Sequence, residues 1–158
     1  MKRIAFIALV ALTFLTVRPA PALADATAFI GWSPTIATRS TTGFSVAVSL
    51  LVVGFEFEYA HLNDHVAPSA PSVGTGMMNV MVQTPTKTQL YLTAGGGVYH
   101  ESFEATGHTN VGVNVGGGIK IPLAGPIRAR IDYRVFTLSG NAASKTVQRV
   151  YVGGNIAF

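Results

Sequence analysis

Apolar and polar residues alternate along most of this chain, most cleanly from Thr146 to Phe158. From Val150 every second residue is apolar or small (Val150, Val152, Gly154, Ile156, Phe158), with Arg149, Tyr151, Gly153, Asn155 and Ala157 between them. A period of two places the two sets on opposite faces of a β-strand. Seven earlier segments read the same way. In the first, Ala26 to Trp32, one face holds Ala28, Ile30 and Trp32. The second sets Phe44, Val46, Val48 and Leu50 against Gly43, Ser45, Ala47 and Ser49. The third sets Val53, Phe55, Phe57 and Tyr59 against Gly54, Glu56, Glu58 and Ala60. Met78, Val80 and Val82 oppose Met77, Asn79, Met81 and Gln83 in the fourth, and the fifth is the long, glycine-rich run Gln89 to Phe103. The sixth pairs Val111, Val113, Val115, Ile119 and Ile121 with Asn110, Asn114 and Lys120. The seventh pairs Ile127, Ala129, Ile131, Tyr133 and Val135 with Arg128, Arg130, Asp132 and Arg134. The expected fold is all-β, an eight-stranded antiparallel up-and-down barrel.

Strand breakers punctuate this pattern. Pro34, Pro68, Pro71, Pro85, Pro122 and Pro126 are expected between segments, where a missing ladder donor does little harm. Short joins are expected at Leu51-Val52, Thr84 to Thr88 and Pro122 to Pro126, and longer loops at Ser33 to Thr42, Leu62 to Gly74, Ala105 to His108 and Ser139 to Lys145. Ser49 to Val53 contains no Gly, Pro, Asn or Asp for a tight turn. One long bent strand is the alternative there.

Ahead of the alternation, Lys2 and Arg3 precede the uncharged apolar run Ile4 to Val17, and Ala22-Leu23-Ala24 follows with small residues at cleavage spacing. Those are the three parts of a secretory signal peptide. The run of 14 residues is shorter than the roughly 20 a spanning helix needs. Residues 1–24 are therefore expected to be cut away between Ala24 and Asp25, leaving a single domain over residues 25–158. Export also changes the charge. Lys2, Arg3 and Arg18 leave with the leader, so the 11 basic residues of the chain fall to 8 against 7 acidic ones. With no clustered basic face left, nucleic-acid binding drops out. The chain holds no cysteine, which excludes disulfides and thiolate metal sites.

Alternation by itself fits two architectures. A soluble barrel or sandwich turns its aliphatic face inward, whereas a membrane barrel turns it out to lipid and keeps the polar face inside. The leader, the even strand count and aromatics near strand ends (Trp32, Phe44, Tyr59, Phe136, Phe158) favour the membrane form. Glu56, Glu58, Lys120, Arg128, Arg130, Asp132, Arg134 and Arg149 then point into a lumen narrow enough for side chains to fill. Strands three and seven stand on opposite walls, so carboxylate–guanidinium pairing across the interior is expected, since unpaired buried charge is costly. The alternative for these groups is an ion path.

The terminal strand resembles the closing strand of bacterial outer-membrane β-barrels, whose assembly signal places an aromatic or polar residue, a glycine and two alternating apolar residues at the end. Tyr151, Gly153, Ile156 and Phe158 fit that spacing. The runs Val53-Gly54-Phe55-Glu56-Phe57-Glu58-Tyr59-Ala60 and Val115-Gly116-Gly117-Gly118-Ile119 are similar to those of small outer-membrane barrel domains, the OmpX/OmpA-barrel or opacity-like group. The resemblance covers essentially the whole exported chain. It implies a monomer in the bacterial outer membrane, contact with lipid and lipopolysaccharide, insertion by the barrel-assembly machinery through the last strand, and binding through outer loops. It implies no cofactor. The group includes adhesins and envelope anchors, so a non-enzymatic structural or surface-interaction role is the first expectation.

Candidate chemistry is sparse. His100, Ser102 and Glu104 alternate near the outer end of the fifth segment. Small barrels that deacylate lipid A use serine as nucleophile with histidine as base at the lipid-facing rim, which makes a lipid-modifying enzyme the second reading. A polar rim explains the same residues without chemistry. His61, His65, His100 and His108 match no standard metal-ligand spacing, so no metal site is expected. The third reading is a soluble periplasmic ligand-binding β-barrel with its aliphatic face inward.

Overall fold

The computed structural model describes residues 22–35, 39–62, 72–103, 106–140 and 145–158. The strands are β1 (Ala22–Ser33), β2 (Arg39–Leu50), β3 (Val53–Leu62), β4 (Ser72–Gln83), β5 (Gln89–Phe103), β6 (Thr106–Ala124), β7 (Ile127–Leu138) and β8 (Thr146–Ala157). They form a closed barrel in chain order, every neighbour antiparallel, and β1 meets β8 from Asp25↔Ala157 to Trp32↔Val150. Closure leaves no edge strand, so each backbone polar group in the ladders finds a partner without water. At the seam Phe158 N donates to Ala24 O at 2.9 Å and Ala24 N to Phe158 O at 3.0 Å.

The aliphatic face points outward. Phe55 is 60 % exposed, Leu92 72 % and Val115 59 %, and the outer side chains of all eight strands continue that belt. An apolar surface of this extent is far beyond what a soluble monomer exposes, and it is what a lipid-facing wall requires. The soluble barrel with its aliphatic face inward is thereby overturned. Trp32, Phe44, Tyr59 and Phe158 stand on the exterior as expected of girdle residues, but Phe136 does not. It shares the inward parity of Arg130, Asp132 and Arg134 along β7 and packs in the lumen.

Several boundaries differ from the sequence reading. The first strand begins at Ala22, whose backbone pairs with Leu50, rather than at Ala26. The loop expected over Ala105 to His108 shortens, because β6 already pairs with β5 at Phe103↔Thr106. Likewise β2 starts at Arg39 and β4 at Ser72, inside the expected loops. Pro122 lies within β6 and not between strands. It sits where the β6–β7 register slips between Pro122 and Ala124, a bulge that tolerates the missing donor. Between β2 and β3 the chain does turn. Leu50 pairs with Val53, and Leu51 adopts φ 55° in a two-residue connection. Two-residue hairpins need positive φ to match strand twist, and here a leucine accepts it without the usual glycine or asparagine.

Inside, the lumen has two zones. A charged waist occupies the middle and the end with the short turns. Above it, toward the longer loops, Leu62, Val73, Met77, Tyr99, Phe136, Leu138 and Val147 form an apolar cluster.

Candidate functional site

The waist follows from parity and topology. Glu56 and Glu58, two apart on β3, must share the inner face, as must Arg130, Asp132 and Arg134 on β7. The barrel order sets these strands on opposite walls. Their side chains meet across the lumen. Arg130 Nη1 lies 2.5 Å from Glu56 Oε2 and its Nη2 3.0 Å from Asp132 Oδ2. Arg134 Nη2 lies 2.6 Å from Glu56 Oε1, Nε 3.0 Å from Asp132 Oδ1, and Nη1 3.0 Å from Glu58 Oε2. That last contact is an ion pair without hydrogen-bond geometry. Glu56 thus gives one oxygen to each arginine, the division of two fixed forks over one carboxylate that planar guanidinium favours.

Neutral groups complete the network. Tyr151 Oη donates to Asp132 Oδ2 at 2.8 Å, and Tyr91 Oη also donates to Asp132. Arg130 Nε donates to Tyr91 Oη at 2.7 Å, and Nη1 reaches Ser45 Oγ at 3.1 Å. Asn114 Nδ2 donates to Asn79 Oδ1 at 2.8 Å, and Asn79 Nδ2 to Glu56 Oε1 at 3.3 Å. Toward the short turns, Lys120 Nζ is 2.6 Å from Asp25 Oδ2, while Asn155 Nδ2 donates to Asp25 Oδ1 at 2.8 Å and to Thr27 Oγ1 at 2.9 Å. Toward the apolar cluster, Arg149 pairs with Glu58 and lies 4.3 Å over the Phe136 ring. Every strand supplies at least one of these groups. Lys120, Arg130, Arg134 and Arg149 stand against Asp25, Glu56, Glu58 and Asp132, so the described waist is neutral.

Glycines make the room. An added Cβ at Gly118 would stand 2.5 Å from Tyr91 Oη, and one at Gly116 2.7 Å from Arg134 Cγ. At these positions a side chain and the network cannot coexist.

Of the residues expected inside, Glu56, Glu58, Lys120, Arg130, Asp132, Arg134 and Arg149 are brought together. Arg128 is not part of that cluster. It is half-buried at the short-turn end, where Nη1 donates to Gln89 Oε1 at 2.8 Å. Asp25, Tyr91, Asn79 and Asn114 were not singled out for the lumen, and neither was the buried Arg39 at the outer end. Tyr151 was singled out only as part of an assembly signal, yet it lies in the network, stacked on Phe29 with ring centroids 4.1 Å apart. Extending the parity of Ala28, Ile30 and Trp32 by one step would have turned Asp25 inward.

At the outer rim, His100 and Ser102 share the exterior face of β5, and His100 Nδ1 is 2.8 Å from Thr109 Oγ1; among the described residues no acid stands in that place. Glu104 and His65 lie outside the described residues. Among the described residues, no group of three or more His, Asp or Glu is placed to hold a metal ion. Gly153 and the outward Ile156 and Phe158 stand on β8 and just beyond it.

No protein-family model and no curated protein matches the sequence. Solved structures do. The N-terminal β-barrel domain of Pseudomonas aeruginosa OprF superposes with a TM-score of 0.68 at 16 % identity, over 87 % of this chain and 100 % of that one. Neisserial surface protein A gives 0.62 at 15 % identity, over 86 % and 94 %. The outer membrane enzyme PagL gives 0.55 at 12 % identity, over 84 % and 98 %. The chain has the fold of the small outer-membrane β-barrels.

Proposed function

We propose that this barrel resides in the bacterial outer membrane as a monomer and serves a non-enzymatic, structural or surface-interaction role, with a lumen that is a rigid plug and not a conduit. The carrying observation is the neutral, cross-wall network of the waist. Arg130, Arg134, Glu56 and Glu58 are essentially inaccessible, and their ionic atoms are used on one another. Charges arranged for transport would line open space and keep water. Ligands of the cell surface would be met by the outer loops, as loops on a rigid scaffold are where binding resides.

Export and assembly belong to the same reading. Cleavage after Ala24 would remove the two Ala24–Phe158 bonds and leave Asp25 as first residue, with the β1–β8 ladder then starting at Asp25↔Ala157. The outward Ile156 and Phe158 are the part of the terminal signal that the assembly machinery would reach. The test is the mobility of the extracted protein in SDS, unboiled and boiled, together with single-barrel conductance in planar bilayers. A heat-dependent mobility shift with no conductance beyond background is expected. Equal mobilities, or steady ion currents, would overturn the plugged barrel.

A second reading rests on His100 and Ser102 emerging on one exterior face at the rim, and on a structural neighbour that is an enzyme. A lipid-modifying hydrolase would lose activity in Ser102→Ala. Unchanged lipid A acylation in cells overproducing the wild type would remove it.

A further inference from the structure

The lipid-facing wall is notched at the outer end of β3, β4 and β5. Tyr59 and His61 form one side, and Val98, His100 and Ser102 the other. Between them β4 turns Gly74 and Gly76 outward, paired across the ladders with His61 and His100 and with Tyr59 and Val98 respectively.

These two glycines are unlike those of the waist. At Gly95, Gly97, Gly116 and Gly118 an added Cβ would fall 2.2 Å or less from a neighbouring carbonyl oxygen. At Gly74 the first atom met is Tyr59 Oη at 3.8 Å, and at Gly76 it is Val98 Cγ2 at 3.9 Å, both ordinary contacts. Neither glycine has positive φ. Glycine inside a strand sacrifices chain entropy and packing, and nothing in the backbone or its neighbours requires it here. What the two missing side chains produce is the furrow.

Its lining is ordered as an amphiphile is ordered. Phe57, Met78 and Val98 lie at the deeper, membrane end, while His61, His100, Ser72 and Ser102 lie at the rim. Among the described residues no acidic side chain lines it. The furrow is continuous with the belt that lipid already covers, and the longer loops put this end in the outer leaflet. We propose that it holds one lipopolysaccharide molecule, with a single acyl chain of lipid A lying over Gly74 and Gly76 and a phosphate at the histidine and serine end. Imidazole and hydroxyl groups supply donors to phosphate oxygens there, and Thr109 Oγ1 at 2.8 Å steadies the His100 ring. The inference rests on the outer-membrane reading and names one of its partners by site.

Because a Cβ at either glycine meets only ordinary contacts, Gly74→Val with Gly76→Val is chosen to fill the furrow. The folded protein in detergent is titrated with purified lipid A, with lipid A stripped of phosphate, and with phosphatidylglycerol, and bound lipid is counted by native mass spectrometry. One lipid A per wild-type barrel is expected, falling about tenfold or more in the filled variant, since several buried methylenes of the acyl chain are displaced. The His61→Ala, His100→Ala double variant, or phosphate-free lipid A, should lose several-fold. Equal lipid A retention by the filled variant overturns the proposal, as does equal retention of phosphatidylglycerol by the wild type. The unboiled and boiled mobilities of the same variants keep the outcomes separate. A preserved shift with unaltered lipid binding removes the furrow and leaves the barrel standing.

Discussion

Glu56 and its neighbours Phe55 and Phe57 are adjacent in sequence and live in opposite media. Glu56 is 1 % exposed and ion-paired to two arginines, while Phe55 is 60 % exposed to lipid. The inner surface is specific: each charged group is matched to named partners, and each close glycine exists because a particular atom needs its space. The outer surface is generic, asking only for apolar character and a few aromatics near its ends. The difference arises from the medium. Hydrocarbon interacts alike with any aliphatic side chain, whereas a buried charge is tolerable only with a partner of opposite sign and good geometry. The furrow of β3–β5 is a place on the exterior where the outer wall has a definite shape and a polar end.

The largest expected effect tests the inner side of that contrast. Glu56→Ala leaves Arg130 and Arg134 without the carboxylate they share, and breaking such a buried pair costs about 3–5 kcal/mol. Urea unfolding of the barrel in lipid vesicles should register this, and a loss below about 1 kcal/mol would mean that the network does not hold the walls together. Val80→Arg then tests the outer side at similar height. A charge facing lipid near mid-membrane costs about 2–4 kcal/mol, whereas Val80→Leu should be almost silent in the same assay. If Val80→Arg proved equally silent, the apolar belt would not be the lipid contact. The smallest effect comes where the two surfaces meet. Arg128→Gln removes a half-buried cation at the short-turn end whose hydrogen bond goes to neutral Gln89, and a change of at most about 1 kcal/mol is expected. A larger loss would extend the charged plug to the barrel mouth.

The fold was legible in the sequence because a barrel strand carries its own instruction in its period of two. The parity of β2, β3, β4 and β7 turned the aliphatic residues out and the charged ones in, and β5 was delimited to the residue. Reading the membrane setting needed the leader-like pattern of Lys2 to Ala24 and the terminal strand as well, since alternation is symmetric between a soluble and a membrane barrel. What local signals missed was local irregularity. Pro122 sits at a bulge and β6 starts before the expected loop ends, whereas the expected join at Leu51-Val52 forms without a turn residue. In each case ladder bonds from the neighbouring strand outweigh the residue's own preference.

The waist divides the same way. That Glu56, Glu58, Arg130, Asp132 and Arg134 face one interior is determined by the sequence, because side-chain direction along a strand is a matter of odd and even positions. Which oxygen meets which guanidinium nitrogen, why Tyr91 and Tyr151 converge on Asp132, and that Asp25 meets Lys120 were decided only by the tertiary structure. Those pairings depend on the stagger between strands around the closed ring, and stagger is a property of eight ladders acting together that no single strand encodes. The roomy Gly74 and Gly76 belong there too, since a glycine in a sequence does not say whether a neighbour or a ligand occupies its missing side chain.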